Sequence, residues 1–223
     1  MSSLWKIYWE FPITATIGFL LVFVYFGVII FLPVQVITQN FVAYPNRPNV
    51  LNWFLSLFFH GNPGHLFSNL MFLVFLGRVV EAKVSKAKWL IYYFMAGMVS
   101  VVLDSFIRGF ILSDNTPLVG ASGAISGLAA VSALLSPFGF KINKISIPFP
   151  VFIVSWLMIY SDFMNLFSSD NIAHWAHLGG FFSVFLTAYL LTPEDSSRLK
   201  RGFVLNLVFF TLTVILLFFI TNR

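Results

Sequence analysis

Long apolar segments separated by short polar ones dominate the hydrophobic pattern of this 223-residue chain. A helix needs about 20 residues to cross the hydrocarbon core of a bilayer, and most of the apolar runs approach that length. The pattern predicts seven helical spans, at roughly 12–33, 65–84, 88–108, 118–136, 146–166, 174–192 and 203–221. The predicted fold is therefore an all-α membrane protein, a polytopic helical bundle that forms a single domain over residues 1–223.

The composition supports the same interpretation. Hydrophobic residues make up 59% of the chain and charged residues only 9%, which is more apolar surface than a soluble domain of this size can bury. Cysteine is absent, which excludes disulfides, a thiol nucleophile and a Cys-ligated metal. The net charge of +5 does not by itself indicate nucleic acid, because the distribution of the charges decides what they report.

The basic residues predict the orientation in the membrane. With the N-terminus inside, ten of them fall on the inner side: Lys6, Arg78, Lys83, Lys86, Lys88, Lys141, Lys144, Arg198, Lys200 and Arg201. Three fall outside: Arg47, Arg108 and Arg223. Because Lys and Arg concentrate on the cytoplasmic side of membrane proteins, we expect a cytoplasmic N-terminus and an external C-terminus.

Polar side chains of catalytic types cluster where three of the predicted spans begin. His65 and Asn69 start the second span, Ser122 lies near the start of the fourth, and His177 near the start of the sixth. All three spans start at the outer face, and at 1.5 Å per residue these side chains lie roughly 5–8 Å below it. Polar groups are expensive in a bilayer, so their convergence at one depth indicates a functional site.

These residue types fit acyl transfer by a serine nucleophile. His65 and Asn69 are four residues apart and share a helix face, so both can direct donors at one point. Gly120 and Gly123 flank Ser122 and permit close backbone approach at a helix start, where unpaired N–H groups favour an oxyanion.

Histidine is the expected base. His177 lies at the proper depth, whereas His174, one turn earlier, is expected to face the outer interface. No sequence spacing places an outer-face acid beside His177, which leaves a Ser/His dyad as the predicted arrangement rather than a triad. The acids considered are Asp104, Asp114, Asp162 and Asp170.

Four motifs in order resemble the rhomboid family of intramembrane serine proteases. They are His65-Leu-Phe-Ser-Asn69, Gly77-Arg78-Val-Val-Glu81, Gly120-Ala-Ser122-Gly123 and Ala176-His177-Leu-Gly-Gly180. The resemblance covers roughly residues 50–192. It implies a bacterial-type six-helix core over 12–192, an additional C-terminal helix over 203–221, and a bacterial inner or cell membrane with the active site facing outward.

The resemblance also implies roles for individual residues. Ser122 is the nucleophile and His177 the general base and acid. His65 and Asn69 are oxyanion donors together with the Ser122 N–H, and Gly120 lies beside the oxyanion pocket. His177 is preferred to His174 because Ala precedes it and Gly180 follows three residues later.

Other positions are expected to be structural. Glu81 holds the inner end of the second helix through hydrogen bonds, and His60 precedes the oxyanion histidine. The chain also departs from the family pattern in three places. Leu51-Asn52-Trp53 stands where a Trp-Arg pair is frequent, Ser126 where an aromatic residue often packs on the base, and Val184 where a small residue is expected.

The predicted function is cleavage of single-span membrane proteins near the outer end of the span, with no cofactor, no metal and no nucleic acid. Rival interpretations are a catalytically silent rhomboid-like chaperone or binding protein, a histidine zinc site and a transporter. The His-Glu-x-x-His pattern of metalloproteases and the repeated halves of many transporters are both missing. The context of Asp104 and Asp162 does not fit an aspartyl intramembrane protease.

Overall fold

The structure is a computed structural model that describes residues 10–138, 140–142, 145–147, 151–168, 170, 172–190 and 192–221. Lys6, Lys144 and Arg223, which contribute to the predicted orientation, lie outside these described residues.

Nine α-helices and one short antiparallel ladder form the described part of the fold. The helices are α1 Pro12–Phe31, α2 Val34–Asn40, α3 Val50–Ser56, α4 Pro63–Glu81, α5 Lys86–Asp104, α6 Ser122–Leu135, α7 Val151–Met164, α8 His174–Leu190 and α9 Pro193–Thr221. The ladder pairs β1 Phe140–Ile142 with β2 Ile145–Ile147. The all-α polytopic class is confirmed, since the ladder is only three residues long on each strand.

Four of the described helical stretches are long and apolar enough to cross a membrane: Pro12–Phe31, Pro63–Glu81, Lys86–Ile111 and Ser196–Leu216. The helices α6 and α7 are apolar but shorter. The fifth predicted span began at residue 146, whereas α7 begins at Val151. Residues Ile145–Ile147 are extended instead, as expected for a residue followed in the sequence by a proline, which disfavours the helical conformation of the residue before it.

Helix α5 continues into a π-helical segment, Ser105–Ile111, that leads to the loop before α6. Arg108 in this segment pairs with Asp104 one turn earlier, with Nε 3.1 Å from a carboxylate oxygen. The same guanidinium contacts Asp114 at 3.3 Å and the Thr116 carbonyl at 2.5 Å. These contacts connect the outer end of α5 to the approach to α6.

Helix α6 occupies the centre of the bundle, in contact with α4, α5, α7, α8 and α9. Small residues make this position possible. A Cβ at Gly123 would overlap the Ser100 side chain, and one at Gly127 would overlap Ala96. On α8, a Cβ at Gly180 would overlap the Gly123 carbonyl oxygen. Small residues let helix backbones approach closely, and here they bring the starts of α6 and α8 together.

The loop between α1 and α4 carries α2 and α3, and backbone hydrogen bonds connect it to the rest of the fold. Ala43 and Leu118 form an antiparallel bridge, with N–H to carbonyl distances of 3.0 and 2.8 Å. Farther along the chain, the Gly120 N–H donates to the Ser56 carbonyl at 2.8 Å. The loop therefore supports the segment that precedes Ser122.

Glu81, at the end of α4, caps the start of α1. Its carboxylate accepts hydrogen bonds from the backbone N–H groups of Ile13 and Thr14 at 2.8 and 2.9 Å, and from the Thr14 hydroxyl at 2.7 Å. The first N–H groups of a helix have no partner within the helix, so an anion there is favourable. This arrangement matches the hydrogen-bonding role expected for Glu81.

Replacing Glu81 tests this contribution to stability. We expect Glu81→Gln to lower the free energy of unfolding by about 1–3 kcal/mol, because a charged acceptor for three donors is lost. The measurement is thermal or denaturant unfolding of the purified protein in detergent micelles. The exposed Glu194 provides the matched control, and Glu194→Gln should change stability by less. Equal effects of the two variants would contradict the capping role.

Candidate active site

A cavity of about 680 Å³ brings together the side chains to which the sequence assigned chemistry. Its lining includes His65 and Asn69 from α4, Ser122 from α6 and His177 from α8. The residues come from three helices that are far apart in the sequence. The depth argument predicted that they would meet, and in the structure they border one space.

Ser122 is the first residue of α6, and the helix start gives it a positive electrostatic environment. The first N–H group that donates a hydrogen bond within this turn is that of Ile125, which donates to the Ala121 carbonyl at 2.9 Å. The N–H groups of Ser122, Gly123 and Ala124 precede that first bond of the α-helix. Such groups, together with the helix dipole, stabilise negative charge near the Ser122 side chain.

Gly120 has a backbone conformation that other residues adopt rarely, with φ of +115°. A Cβ at this position would come within 2.6 Å of Cε1 of His65. Glycine is therefore required for two reasons, the dihedral angle and the close approach of an imidazole ring. The consequence is that His65 lies directly against the backbone that leads into Ser122.

The beginning of α4 fixes the two expected oxyanion donors. Asn62 caps the helix by accepting from the His65 N–H at 2.8 Å. Asn69 is buried, and its amide nitrogen donates to the His65 carbonyl at 2.9 Å. A side-chain amide carries two N–H bonds, so this contact uses one and leaves a second for the cavity that Asn69 lines.

His60 supports the site from behind. Its ring is fully buried and meets the His65 ring edge to face, with centroids 5.0 Å apart. The Ala121 N–H donates to Nε2 of His60 at 3.5 Å. Burial, and to a lesser extent the neighbouring His65, lower the pKa of His60 to about 4. A neutral, buried ring that accepts from the loop before Ser122 fits the expected structural role.

His177 has a carboxylate partner, which corrects the expectation that no acid lies beside it. Nδ1 of His177 is 2.8 Å from Oδ1 of Asp162. Asp162 lies in the last turn of α7, and α8 begins ten residues after α7 ends, so the two helix ends are adjacent at one side of the bundle. Sequence spacing could not reveal this contact, because it depends on how the two helices pack.

His174 is buried rather than exposed at the interface, which is a second correction. Its Nδ1 is also 2.8 Å from Oδ1 of Asp162, and its Nε2 is 3.2 Å from both carboxylate oxygens of Asp170. The side chain is only 5% exposed. Hydrogen bonds from the Ile172 N–H and from His174 hold the pKa of Asp170 below its usual value.

A signal for Asp162 was present in the sequence. An acid inside an apolar, membrane-length segment is functional by default, and Asp162 falls four residues before the predicted outer end of its span. The depth argument that gathered Ser122 and His177 applies equally to this carboxylate. Applied to the acids as well as to the histidines, it would have placed Asp162 at the depth of His177, although it could not have predicted their contact.

Asp162, His174 and His177 are also the described residues that have suitable geometry to hold a metal ion. One ligand atom from each lies within 4.8 Å of the others. Ligands of tetrahedral zinc are about 3.4 Å apart, given bonds near 2.05 Å, so the widest separation exceeds that spacing. Nδ1 of His174 and Nδ1 of His177 are each 2.8 Å from Oδ1 of Asp162, which is an ordinary hydrogen-bond distance. The three side chains therefore need no rearrangement to form hydrogen bonds.

Two of the sequence departures lie close to this site. Ser126, one turn after Ser122, lines the cavity and is 1% exposed, and its side chain is too small to pack on the His177 ring. Val184, one turn after Gly180, is buried at 6% exposure. The close contact of α8 with α6 at Gly180 persists despite the larger residue at 184.

The sequence is similar to those of known proteins. The sequence profile of the Rhomboid domain matches residues 47–194. The chain is 28% identical to Rhomboid-like protein 11, chloroplastic, of Arabidopsis thaliana over 174 residues, covering 73% of this chain and 60% of the relative. It is 26% identical to RHOMBOID-like protein 1 of the same plant, covering 67% of this chain and 37% of the relative.

A third relative from Arabidopsis thaliana is named Inactive RHOMBOID-like protein 8. The chain is 30% identical to it over 134 residues, covering 57% of this chain and 34% of the relative. The chain therefore spans between about a third and three fifths of the length of these curated relatives.

The buried His60 predicts a pH dependence of stability. Its pKa is about 4 in the folded protein and about 6.5 unfolded, so between these values the unfolded chain binds a proton that the folded chain does not. Stability is complete above pH 6.5 and falls on acidification towards pH 4, by at most about 3 kcal/mol from this group.

The check is the unfolding midpoint in detergent at pH 7 and at pH 4.5. His60→Gln keeps an acceptor for the Ala121 N–H but does not titrate, so we expect a smaller loss on acidification than in the unmodified protein. An identical loss in both would assign the acid sensitivity to other groups.

Proposed function

Because the chain belongs to the rhomboid family, we propose that it is an integral membrane serine endopeptidase. It cuts single-span membrane proteins near the outer end of their transmembrane segment. The observation that supports this most directly is the position of Ser122 at a helix start, in the same cavity as His177, His65 and Asn69. A nucleophile, a base and oxyanion donors then surround one space.

The reaction begins at the Ser122 hydroxyl. His177 removes its proton while Oγ bonds to the scissile carbonyl carbon, and the carbonyl oxygen becomes an oxyanion. The Ser122 N–H, His65 and Asn69 stabilise that oxyanion, which forms only during the reaction. The C–N bond then breaks, and His177 gives its proton to the leaving amine. An acyl-enzyme remains on Ser122.

Water completes the cycle. His177 takes a proton from a water molecule that attacks the ester carbon, and the second tetrahedral intermediate expels the Ser122 oxygen, to which His177 returns the proton. Water must reach this point from outside the lipid, and the cavity that borders Ser122 supplies the space. The same water solvates polar side chains that hydrocarbon would penalise.

The substrate must expose a peptide bond. A closed transmembrane helix hides its carbonyl carbons and its N–H groups in intrahelical bonds, so the segment has to unwind locally before it is cut. Resemblance to the family implies small residues before the scissile bond. The Lys and Arg distribution supports a site on the outer side. Rhomboid-like protein 11 is named as a chloroplast protein, so the bacterial membrane stays a prediction from the resemblance.

A catalytically silent relative is the second candidate, because a similar protein is named inactive. The presence of both Ser122 and His177 beside one cavity favours the active enzyme over this alternative. Reaction with a small electrophile separates the two, since a silent binding protein has no activated serine.

The cluster of Asp162, His174 and His177 supports a metal-dependent hydrolase as a third candidate. A chelator such as 1,10-phenanthroline provides the test. We expect cleavage to be unchanged by the chelator and by added zinc at equimolar concentration. Loss of activity with chelator and recovery with zinc would favour the metal enzyme instead.

Labelling with a fluorophosphonate probe tests the nucleophile. We expect covalent modification at Ser122 in the intact protein and none in Ser122→Ala or His177→Ala, because the hydroxyl needs a base to react. The measurement is gel fluorescence and peptide mass spectrometry in detergent, with unfolding midpoints to show that the variants fold. Retained labelling in a folded Ser122→Ala protein would place the nucleophile elsewhere.

Asn69→Ala tests the oxyanion site. Loss of one oxyanion donor typically lowers kcat by about 10²–10³-fold, so cleavage should slow by that order and persist. The neighbouring Ser68 also lines the cavity, but its hydroxyl donates to the His65 carbonyl at 3.0 Å. Ser68→Ala is the matched control and should have a much smaller effect. An unchanged rate in Asn69→Ala would assign Asn69 to packing alone.

A further inference from the structure

A connected set of carboxylates and imidazoles extends from His177 to the outer surface. Oδ1 of Asp162 is 2.8 Å from Nδ1 of both His177 and His174. Nε2 of His174 is 3.2 Å from both oxygens of Asp170. Three short segments supply these groups: the end of α7, the loop after it and the start of α8.

The contact with Asp162 determines which nitrogen of His177 carries the proton. An ionised carboxylate only accepts hydrogen bonds, so Nδ1 of His177 must be the donor. In the neutral ring, Nε2 then has a free lone pair, and it is the nitrogen remote from Asp162. A base that removes the Ser122 proton needs this tautomer.

Burial makes the arrangement rigid. The Asp162 side chain is 7% exposed and the His177 side chain 17% exposed, so few water molecules compete for either group. Two imidazole N–H donors on one oxygen satisfy the buried carboxylate, which would otherwise be costly to desolvate. His174 is in turn held between Asp162 and Asp170, and it contacts the same carboxylate oxygen of Asp162 as His177 does.

We propose that Asp162 is a positioning residue for the cleavage reaction, completing a Ser122–His177–Asp162 triad in place of the dyad that the sequence predicts. Asp162 touches neither substrate nor the reacting atoms and acts through His177, while His174 holds Asp162. The assignment rests on the proposed protease function. It also explains how His177 is oriented where residue 126 is a serine that cannot pack on the ring.

Asp162→Asn is the decisive substitution, because it keeps the size of the side chain and removes the charge. An asparagine amide can present its NH₂ group to Nδ1, which stabilises the tautomer protonated at Nε2, and that tautomer cannot accept the Ser122 proton. Where the same change was made in a serine protease triad, kcat fell about 10⁴-fold with the geometry intact. We expect kcat to fall by about 10²–10⁴-fold here.

The split between kcat and KM distinguishes positioning from a structural role. Asp162 makes no proposed contact with substrate, so KM should stay within about threefold while kcat falls. Asp114→Asn is the matched control, since Asp114 pairs with Arg108 in the loop before α6, and should leave both constants near their original values. Asp162→Glu keeps a carboxylate and should recover part of the lost kcat. A folded Asp162→Asn enzyme with kcat within twofold of the original overturns the proposal.

A second measurement determines the tautomer of His177 in the unmodified protein. In protein labelled with ¹⁵N-histidine, a ring nitrogen that carries a proton has a chemical shift distinct from one that does not. The His177 signals are assigned by their loss in His177→Gln. With His177 neutral, the proposal requires a proton on Nδ1 and none on Nε2, and the reverse pattern overturns it.

Different experimental results would show that the triad proposal is wrong and that the proposed protease function is wrong. If the unmodified protein neither reacts with fluorophosphonate nor cleaves a substrate, the protease function is wrong, whatever the His177 tautomer. If the unmodified protein reacts and Asp162→Asn reacts at the same rate, the protease function stands and the triad is wrong.

Discussion

The close contact between the backbones of α6 and α8 sets the position of Ser122 relative to His177. Gly123 and Gly180 meet where a single additional methyl group on Gly180 would overlap a carbonyl oxygen. Apolar side chains provide little drive for helix association in lipid, so small residues and polar contacts have to define the approach. Gly120 acts similarly for α4, because its missing side chain lets His65 lie against the segment before Ser122.

Several polar groups in this apolar bundle have partners within the protein. Glu81 accepts from the start of α1, Asn62 caps α4, and Arg108 links Asp104 to Asp114. These contacts reduce the free-energy cost of placing backbone and side-chain polar groups away from water, where an unpaired group is unfavourable. The residues of catalytic types are placed differently, because they border a cavity of about 680 Å³.

The different positions of His174 and His177 show that residue type alone does not decide which histidine faces the cavity. The two side chains have the same chemistry and lie one helical turn apart, yet only His177 lines the cavity with Ser122. His174 is turned towards Asp162 and Asp170, and the expectation that it faced the interface was wrong. Choosing between them by residue type was impossible, since the direction of each ring depends on the packing of α7 against α8.

The sequence by itself determined the class of fold and the approximate positions of most long helices, and it predicts a common depth for Ser122, His177, His65 and Asn69. The length of each apolar segment and the rise per residue of a helix predict these features for one segment at a time. Only the tertiary structure decided that Asp162 approaches His177, that Gly180 packs on Gly123, and that a short ladder with α7 beginning at Val151 replaces the start of the fifth predicted span. Contacts between separate helices depend on their relative rotation and separation, which the period and length of a segment do not specify.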